Sequence, residues 1–592
     1  MRRSAWTIGA TVLAALSLGV AACGGSDNNS SSDSGKTSTG TKLPDKPKQG
    51  GKLTVLWTGD VDHIDCGQTY YQMGNFICNA TQKQLYAYKP DDGTTLVPDL
   101  ADGDPQVSDD GKTVTVKIKP GVKYSPPYQD HTVTSADVKY AIERGFFNNV
   151  GAGFTQSYYA DLEGAKIGVK PGTEIPGITT PDDTTLVLKF KRAVGGVMAS
   201  GALAYGATAP VPKDYAAKFD AKTPSTYGEN QLATGPYMIE NDASGKAIGY
   251  EPSKRIHLVR NPSWDKSLDF KPAYLDEIDN LEGNDDPGVA SRRILTGQSM
   301  INGDFSPLPE NLKDASQNHK DQLVLIPTGG GRWISMNTTV KPFDDLNVRK
   351  AVTAGMDRAA LLLTRGGKLV GDVATHYLAP GIAGFEEAGG LKGVPGVDFL
   401  SVDGKPLPDV SAKYFKAAGY ASGKYEGTEK ILMVGSNAGV AAKTAEVAKE
   451  SLTNMGFNVQ MRLVQQNTMY TRYCNTPSAK VAICPNVGWL KDFADGQTML
   501  DPTFNGKNIL EQGNSNWAQL DDPAINKAMD TAEELPKEQR PAAWADIDKM
   551  ITEQAPVIPW IWDKQPLIES ANVNGVASVS NAQWELAWTS LK

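Results

Sequence analysis

A strand, a helix and a second strand between residues 430 and 464 constrain the fold of this chain more than any other feature. An apolar run at residues 431–434 ends in a Gly-Ser-Asn turn at 435–437, and residues 457–463 later alternate apolar with polar. Such a unit requires a crossover between neighbouring parallel strands, which predicts an α/β fold. Open sheets bind ligands beyond the carboxyl ends of their strands, so we expect a ligand near residues 435–437. The intervening helix is expected to bury Val440, Val447, Ala448 and Leu452.

Residues from about 91 to 220 follow a different pattern. Val114, Val116 and Ile118 alternate with polar residues, and a second alternating run surrounds Leu188. This spacing predicts antiparallel or mixed sheet. Between the two runs, Thr134 followed by an aspartate three residues later predicts the start of a helix.

The length and charge of the chain exclude several classes of protein. Its 592 residues are enough for about three or four folding units. A net charge of -9 leaves no general basic surface for phosphates, so we expect no nucleic-acid partner. Only one long apolar run exists, and it lies close to the N-terminus, which argues against a multi-pass membrane protein.

The N-terminal residues have the three parts of an export signal. Positive charge at Arg2 and Arg3 precedes the apolar residues 8–20, and two alanines then precede Cys23. Residues 20–23 resemble the lipobox of bacterial lipoproteins, which implies cleavage after residue 22 and a diacylated Cys23. The alternative is an ordinary secretory signal with a chance cysteine. The Gly-, Ser- and Asn-rich residues that follow, up to residue 49, are predicted to form a flexible tether.

Four further cysteines form two couples that are local in sequence, Cys66 with Cys78 and Cys474 with Cys484. In an oxidising compartment three connectivities are possible, and the local one closes the shortest loops. Metal binding is disfavoured, because neither couple is a Cys-x-x-Cys and the five histidines lack partners at helical spacing. We therefore predict two local disulfides and no metal or other cofactor.

Known catalytic signatures are missing from the sequence. It contains no Gly-x-Ser-x-Gly elbow and no His-Glu-x-x-His. Paired carboxylates of the kind that glycosidases use cannot be recognised among 68 acidic residues. An exported carboxylate hydrolase therefore stays open as an alternative at this point.

An ordered set of short motifs is similar to family 5 of the solute-binding proteins of bacterial ABC importers, the branch that includes oligopeptide- and dipeptide-binding proteins. The resemblance runs from about residue 50 to 588, and its motifs are Gly50-Gly51-Lys52-Leu53-Thr54-Val55, Leu96-Val97-Pro98-Asp99-Leu100-Ala101, Lys119-Pro120-Gly121-Val122-Lys123-Tyr124, Thr234-Gly235-Pro236-Tyr237, Arg260-Asn261-Pro262, Met336-Asn337-Thr338-Thr339 and Ala555-Pro556-Val557-Ile558-Pro559.

The resemblance implies a two-lobed, periplasmic-binding-protein-like α/β fold of type II, with an extra domain inserted in the first lobe. On this chain lobe I would comprise residues 50–90, 222–325 and 553–592, the inserted domain residues 91–221, and lobe II residues 326–552. The hinge would consist of residues 327–331 and the stretch near Ala555 and Pro556. Glycines in the first of these can absorb a change in backbone angles between open and closed forms.

The segment Gly488-Trp489-Leu490-Lys491-Asp492 resembles the family's Gly-Trp-x-x-Asp motif. By that resemblance Asp492 pairs with the α-ammonium of a peptide, Gly488 and Leu490 pair with its backbone, and Trp489 supplies apolar area. Two features depart from the pattern: Lys491 brings a positive charge next to the aspartate, and Asp495 follows closely.

The expected function is therefore binding and not catalysis. The resemblance implies a monomeric, lipid-anchored receptor on the outer face of the bacterial cell membrane, which delivers a short peptide to the permease and ATPase of an ABC importer. Nickel, sugars or opines are alternative solutes, because other members of the family take them.

Overall fold

The alternating and apolar runs that the sequence analysis identified form β-strands in the structure. The computed structural model describes residue 43 and residues 46–151, 153–437, 439–511 and 514–592. The predicted signal peptide, Cys23 and most of the predicted tether lie outside the described residues.

The described residues form twenty strands, which are β1 Lys52–Leu56, β2 Tyr86–Lys89, β3 Asp92–Pro98, β4 Gln106–Val107, β5 Thr113–Lys117, β6 Ile178–Asp182, β7 Thr185–Lys189, β8 Tyr237–Ile239, β9 Tyr250–Glu251, β10 Arg255–Arg260, β11 Glu277–Leu281, β12 Met300–Asn302, β13 Leu323–Met336, β14 Gly371–Asp372, β15 Lys430–Ser436, β16 Asn458–Val464, β17 Ile483–Leu490, β18 Val557–Ile568, β19 Val573–Asn574 and β20 Ser590–Leu591.

The helices of the same residues are α1 Gln72–Thr81, α2 Ser135–Arg144, α3 Gly153–Tyr159, α4 Gly195–Val197, α5 Lys213–Asp220, α6 Pro287–Thr296, α7 Pro309–Asn318, α8 Leu346–Gly355, α9 Arg358–Arg365, α10 Phe385–Ala388, α11 Pro408–Ala417, α12 Gly439–Asn454, α13 Gln466–Met469, α14 Gln497–Phe504, α15 Pro523–Glu533 and α16 Arg540–Gln554. Within the described ranges no helix has both the length and the apolar character that a membrane span requires.

The strand-helix-strand unit forms as the sequence predicts. Strands β15 and β16 pair in parallel over their whole length, with α12 between them in the chain. The buried face of α12 differs in part from the expectation: Ala448 and Leu452 are buried, but Val440 and Val447 are only half-buried, and Thr444 and Ala445 fill the inner positions. The helix is thus rotated slightly from the face that the largest apolar residues suggest.

Two six-stranded mixed sheets carry most of the chain. The first has the order β12-β1-β11-β10-β8, with β9 beside β10, and the second has the order β14-β18-β13-β17-β15-β16. A separate four-stranded antiparallel sheet, β4-β5-β7-β6, occupies the region where alternation predicted one. Helix α2 begins after Thr134, whose N–H donates to the Asp137 carboxylate at 2.8 Å, which confirms the predicted helix start.

Strands β13 and β18 belong to the cores of both large sheets. Near the start of β13, Val324 and Ile326 pack in the same apolar cluster as Leu53 of β1. Near its end, Ile334 and Met336 belong to a different cluster on the second sheet. The two antiparallel strands therefore form a continuous connection between the two sheets.

The pairing of these two strands is interrupted in the middle. Pro327 lies opposite Lys564 and Gly331 opposite Trp562, so three residues of β13 bulge against one of β18. Gly329 has a φ of +67°, and a Cβ on Gly330 would come within 2.6 Å of the Trp489 carbonyl oxygen. Only glycine fits this bulge without a shift of its neighbours.

The second predicted hinge stretch is displaced from this bulge. Ala555 and Pro556 lie at the far end of the strand pair, where the Met336 N–H donates to the Pro556 carbonyl at 3.2 Å. The residues across from the bulge are Trp562 to Lys564. These residues sit inside a long buried strand and carry no turn signal in the sequence.

Candidate functional site

A cavity of about 320 Å³ is lined by several widely separated parts of the chain. All four predicted ligand-binding residues, Gly488, Trp489, Leu490 and Asp492, line it. The other lining residues, which sequence reasoning did not single out, are Tyr70, Gln72, Asn75, Asn79, Gln82, Gln84, Ala87, Tyr88, Asp99, Phe154, Ala204, Tyr205, Lys271, Thr328, Lys491, Ser580, Asn581, Gln583, Glu585 and Trp588.

Strand β17 brings the predicted residues to the cavity. It runs parallel to β15 but continues past the end of that strand. Residues 435–437, near which the sequence predicts a ligand, do not line the cavity. The site is at the carboxyl edge of the sheet, as the rule for open sheets requires, but on the neighbouring strand.

The backbone of β17 is partly unpaired at the cavity. The Lys491 N–H donates to the Gly329 carbonyl at 3.2 Å, and Trp489 lies opposite Gly331 in the antiparallel ladder with β13. Because such ladders alternate, the N–H and C=O groups of Gly488 and Leu490 face away from β13. Leu490 is also 41% exposed. These two residues can accept hydrogen bonds from, and donate them to, a further extended chain.

Three tyrosines surround Asp492. The Tyr70 hydroxyl donates to Asp492 Oδ1 at 3.1 Å, the Tyr158 hydroxyl donates to Oδ2, and the Tyr205 hydroxyl donates to the backbone carbonyl of Asp492. The ring of Phe154 packs between those of Tyr70 and Tyr205, with centroid distances of 4.5 and 4.0 Å. We call Tyr70, Phe154, Tyr158 and Tyr205 the aromatic cage.

Asp492 has no cation beside it. Burial raises the pKa of Asp492 to about 6, and the hydrogen bonds from Tyr158 and Tyr70 limit the rise. In the part of the chain that the structure describes, no basic nitrogen lies within 4 Å of this carboxylate. A carboxylate that is desolvated and lacks a counter-ion favours a cationic ligand.

The two departures from the family motif do not neutralise Asp492. Successive side chains along an extended chain point to opposite sides, and the Lys491 ammonium donates to the Gly381 carbonyl at 3.0 Å. Burial lowers the pKa of Lys491 to about 8. Asp495 is bound by the Arg540 guanidinium through two hydrogen bonds of 2.6 and 2.9 Å. Asp492 is the acid of this segment that is free to bind a ligand.

Trp489 is held in place by the start of α14. Its indole Nε1–H donates to the Thr498 carbonyl at 2.8 Å, and its ring lies 6.3 Å from that of Trp517. The side chain is half-buried. It therefore offers a fixed apolar surface to the cavity.

The two predicted disulfides form and support this site. Cys66 pairs with Cys78 and Cys474 with Cys484, with Cα–Cα distances of 5.6 and 6.2 Å. The first closes the loop that carries Tyr70. The second fastens the beginning of β17. Cross-links of this kind restrict the unfolded chain and hold the loops they close.

Asp99 and Lys271 of the cavity lining belong to a buried charged cluster that the sequence did not reveal. Lys83 pairs with Asp99 at 2.7 Å and with Asp269 at 2.9 Å, and Lys271 pairs with Asp99 at 2.9 Å. These residues come from two distant parts of the chain, so no local motif could have indicated the cluster. Over the described ranges, no group of three or more His, Cys, Asp or Glu side chains is arranged to hold a metal ion.

Comparisons with known proteins give a consistent result. A family model described as bacterial extracellular solute-binding proteins, family 5, middle region, matches residues 95–511. The oligopeptide-binding protein OppA of Bacillus subtilis (strain 168) is 25% identical over 492 residues, which cover 80% of this chain and 83% of that protein. The periplasmic oligopeptide-binding protein OppA of Escherichia coli (strain K12) is 24% identical over 459 residues, which cover 76% of each chain.

Solved structures show the same fold. The clavulanic acid biosynthesis oligopeptide binding protein 2 superposes with a TM-score of 0.79 at 24% identity, covering 94% of this chain and 98% of that one. The periplasmic binding protein DppA of Helicobacter pylori, in complex with the peptide STSA, superposes with a TM-score of 0.68 at 17% identity, covering 92% and 98%. The predicted two-lobed α/β fold of the periplasmic-binding-protein type is thereby confirmed.

Proposed function

The chain belongs to the bacterial extracellular solute-binding proteins of family 5, and from that premise we propose that it captures a short peptide and delivers it to an ABC importer. The similar protein OppA is named as an oligopeptide-binding protein, and the similar structure of DppA contains a bound peptide. Both support a peptide ligand here. The protein acts as a receptor and performs no covalent chemistry on its ligand.

The observation that carries this proposal is the uncompensated carboxylate of Asp492. It receives two tyrosine hydrogen bonds but no cation, and it faces a cavity large enough for a small solute. The α-ammonium of a peptide supplies the missing positive charge and up to three hydrogen-bond donors. Amino-end recognition by Asp492 follows from this match.

The unpaired edge of β17 can bind the peptide backbone beyond the amino end. An extended peptide that starts at Asp492 can pair with the backbone of Gly488 and Leu490 as an added strand. Trp489 provides apolar area beside it. Main-chain pairing is independent of side chains, so it suits a receptor for peptides of varied sequence.

The peptide would be enclosed by closure of two lobes around the bulge in β13. We retain lobe I as residues 50–90, 222–325 and the C-terminal segment, the inserted domain as 91–221, and lobe II from 326. The pairing of Pro327 with Lys564 and of Gly331 with Trp562 favours a second hinge segment at 562–564, not at residue 555. Asp492 of lobe II then meets Tyr70 of lobe I and Tyr158 of the inserted domain only in a closed form.

The proposed place of action is the outer face of the cell membrane. We propose that Cys23 carries the lipid anchor, as the lipobox-like residues 20–23 indicate. Stable anchoring needs two or three acyl chains, because one chain binds only marginally. Substituting Cys23 with alanine should move the protein from the membrane fraction to the soluble fraction, and continued membrane retention would contradict the anchor.

Calorimetry with two matched peptides tests the peptide proposal. Trialanine should bind the purified protein, and N-acetyl-trialanine should bind about a hundredfold more weakly or worse, because a broken buried ion pair costs about 3 to 5 kcal/mol and each 1.4 kcal/mol is tenfold. Mass spectrometry of ligands that co-purify with the protein identifies the natural solute. Equal binding of both peptides, or a co-purified ligand without an amine, would overturn the proposal.

A further inference from the structure

The wall of the cavity that contains Gln583 has unused hydrogen-bonding capacity. The Gln583 side chain is 5% exposed, lines the cavity, and has no partner for either Nε2 or Oε1 among the described residues. A buried amide without partners is costly, so such a group usually has a ligand or a water that satisfies it. Gln583 can offer one acceptor and two donors to a bound molecule.

Glu585, two residues further on, lines the same wall. No basic nitrogen lies within 4 Å of its carboxylate in the described ranges, although Lys271 is the nearest positive charge and Ser578 also favours its ionised form. Burial raises the pKa of Glu585 to about 7. The carboxylate is therefore poorly solvated and only partly compensated.

The basic residues near this wall are already engaged. Lys271 pairs with Asp99, and Lys83 pairs with Asp99 and Asp269, so two lysines balance two aspartates. Lys491, the other lysine lining the cavity, donates to the Gly381 carbonyl. A ligand carboxylate at this wall would find no free cation among the described lining residues, whereas a ligand cation would find Glu585.

We propose that the cavity prefers short peptides that carry a basic side chain, whose ammonium or guanidinium is held by Glu585 and by Gln583 Oε1, while Gln583 Nε2 donates to a peptide carbonyl. This inference rests on the proposed peptide binding and names the class of peptide. It assigns two groups of the ligand to two carboxylates, the amino end to Asp492 and a basic side chain to Glu585.

A peptide series with matched side chains tests this preference. Alanine tripeptides with Lys, Gln or Glu at the first, second or third position should be titrated into the wild-type protein by calorimetry. At one position at least, the Lys peptide should bind about tenfold more tightly than its Gln counterpart, and the Glu peptide should bind most weakly. Equal affinities for the Lys, Gln and Glu peptides at every position would overturn the inference.

The variant Glu585→Gln locates the preference. It should remove the difference in affinity between the Lys and Gln peptides. Glu538→Gln, an exposed substitution with the same change of charge, is the matched control and should retain the full difference. A preference for Lys that persisted in a folded Glu585→Gln protein would overturn the role of Glu585. Absence of binding by every peptide, in contrast, would contradict the peptide proposal itself.

Discussion

Two parts of the cavity lining, one at Asp492 and one at Gln583, handle buried polarity in opposite ways. At Asp492, the aromatic cage supplies tyrosine hydroxyls that hydrogen-bond the carboxylate from within the protein. At Gln583, the buried amide has no partner in the described chain. The lining at Asp492 is thus organised for one charge, whereas the Gln583 amide gains its hydrogen bonds only from a molecule that enters the cavity. We expect strict recognition at Asp492 and graded selection at Gln583 and Glu585.

The largest effect should come from removing the charge of Asp492. Asp492→Asn keeps the shape of the side chain and should weaken trialanine binding by roughly a hundredfold or more, by the cost of breaking one partner of a buried pair. Asp109→Asn, on an exposed turn, is the control for the change in charge. Acetylation of the peptide should add little further loss in the variant, because both changes remove one interaction. If the losses in binding free energy from the substitution and from acetylation were fully additive in calorimetry, Asp492 would not be the group that binds the amino end of the peptide.

The pH dependence of binding should distinguish Asp492 from Glu585. The pKa of ligand-free Asp492 is about 6, above its ordinary value, so the carboxylate is mostly ionised at pH 7 and mostly protonated at pH 5. Affinity for trialanine should therefore fall about tenfold between pH 7 and pH 5. The loss for a Lys peptide should begin nearer pH 7, where Glu585 takes up its proton. Identical profiles for both peptides would contradict this comparison.

The same raised pKa values determine how the stability of the ligand-free protein changes with pH. Both carboxyls bind protons more tightly in the folded state than in the unfolded state, where their pKa is near 4. Between about pH 4 and pH 7 the unfolded state therefore holds fewer protons at these sites, and their contribution to stability falls as pH rises. Bound cationic ligand should cancel much of this penalty.

A smaller effect should separate two members of the aromatic cage. Tyr158→Phe removes a hydrogen bond to the Asp492 carboxylate, which should raise the pKa of Asp492 by about one unit and weaken trialanine binding about two- to tenfold at pH 7. Tyr205→Phe removes a bond to the Asp492 backbone instead and should leave the pH midpoint in place. Midpoints from calorimetric pH profiles that moved equally in both variants would show that the hydroxyl bonds do not set the charge.

The smallest effect concerns the carboxyl end of the peptide. Trialanine amide should bind within about twofold of trialanine, because the lysines that line the described cavity are already paired or hydrogen-bonded within the protein. A loss of tenfold or more on amidation would reveal a carboxylate receptor and would reverse the charge assignment at Gln583 and Glu585. Competition calorimetry with both peptides measures the ratio directly.

The sequence predicted those parts of the molecule that depend on local patterns. The β15-α12-β16 unit, the helix start at Thr134 and both disulfides follow from spacing alone, and β17 was indicated by its family motif. The aromatic cage and the wall around Gln583 were missed, because the residues of each come together only after distant segments pack. Their sequence neighbourhoods contain no motif. Tyrosine is also common in protein cores, so the number of tyrosines does not indicate which of them line a site.

The packing of β13 and β18 in the cores of both sheets also determines the order in which the chain can fold. The apolar cluster around Leu53 is completed by Leu567, Trp584 and Leu586 from the far end of the chain. During synthesis and export, the core around Leu53 therefore cannot close until Trp584 and Leu586 are available. Contacts of such high sequence separation form late in folding. The second sheet needs only β18 from that end and can assemble earlier. A chain released some twenty-five residues short would thus keep most of its second sheet but lose both the closing of the first core and the wall that carries Gln583.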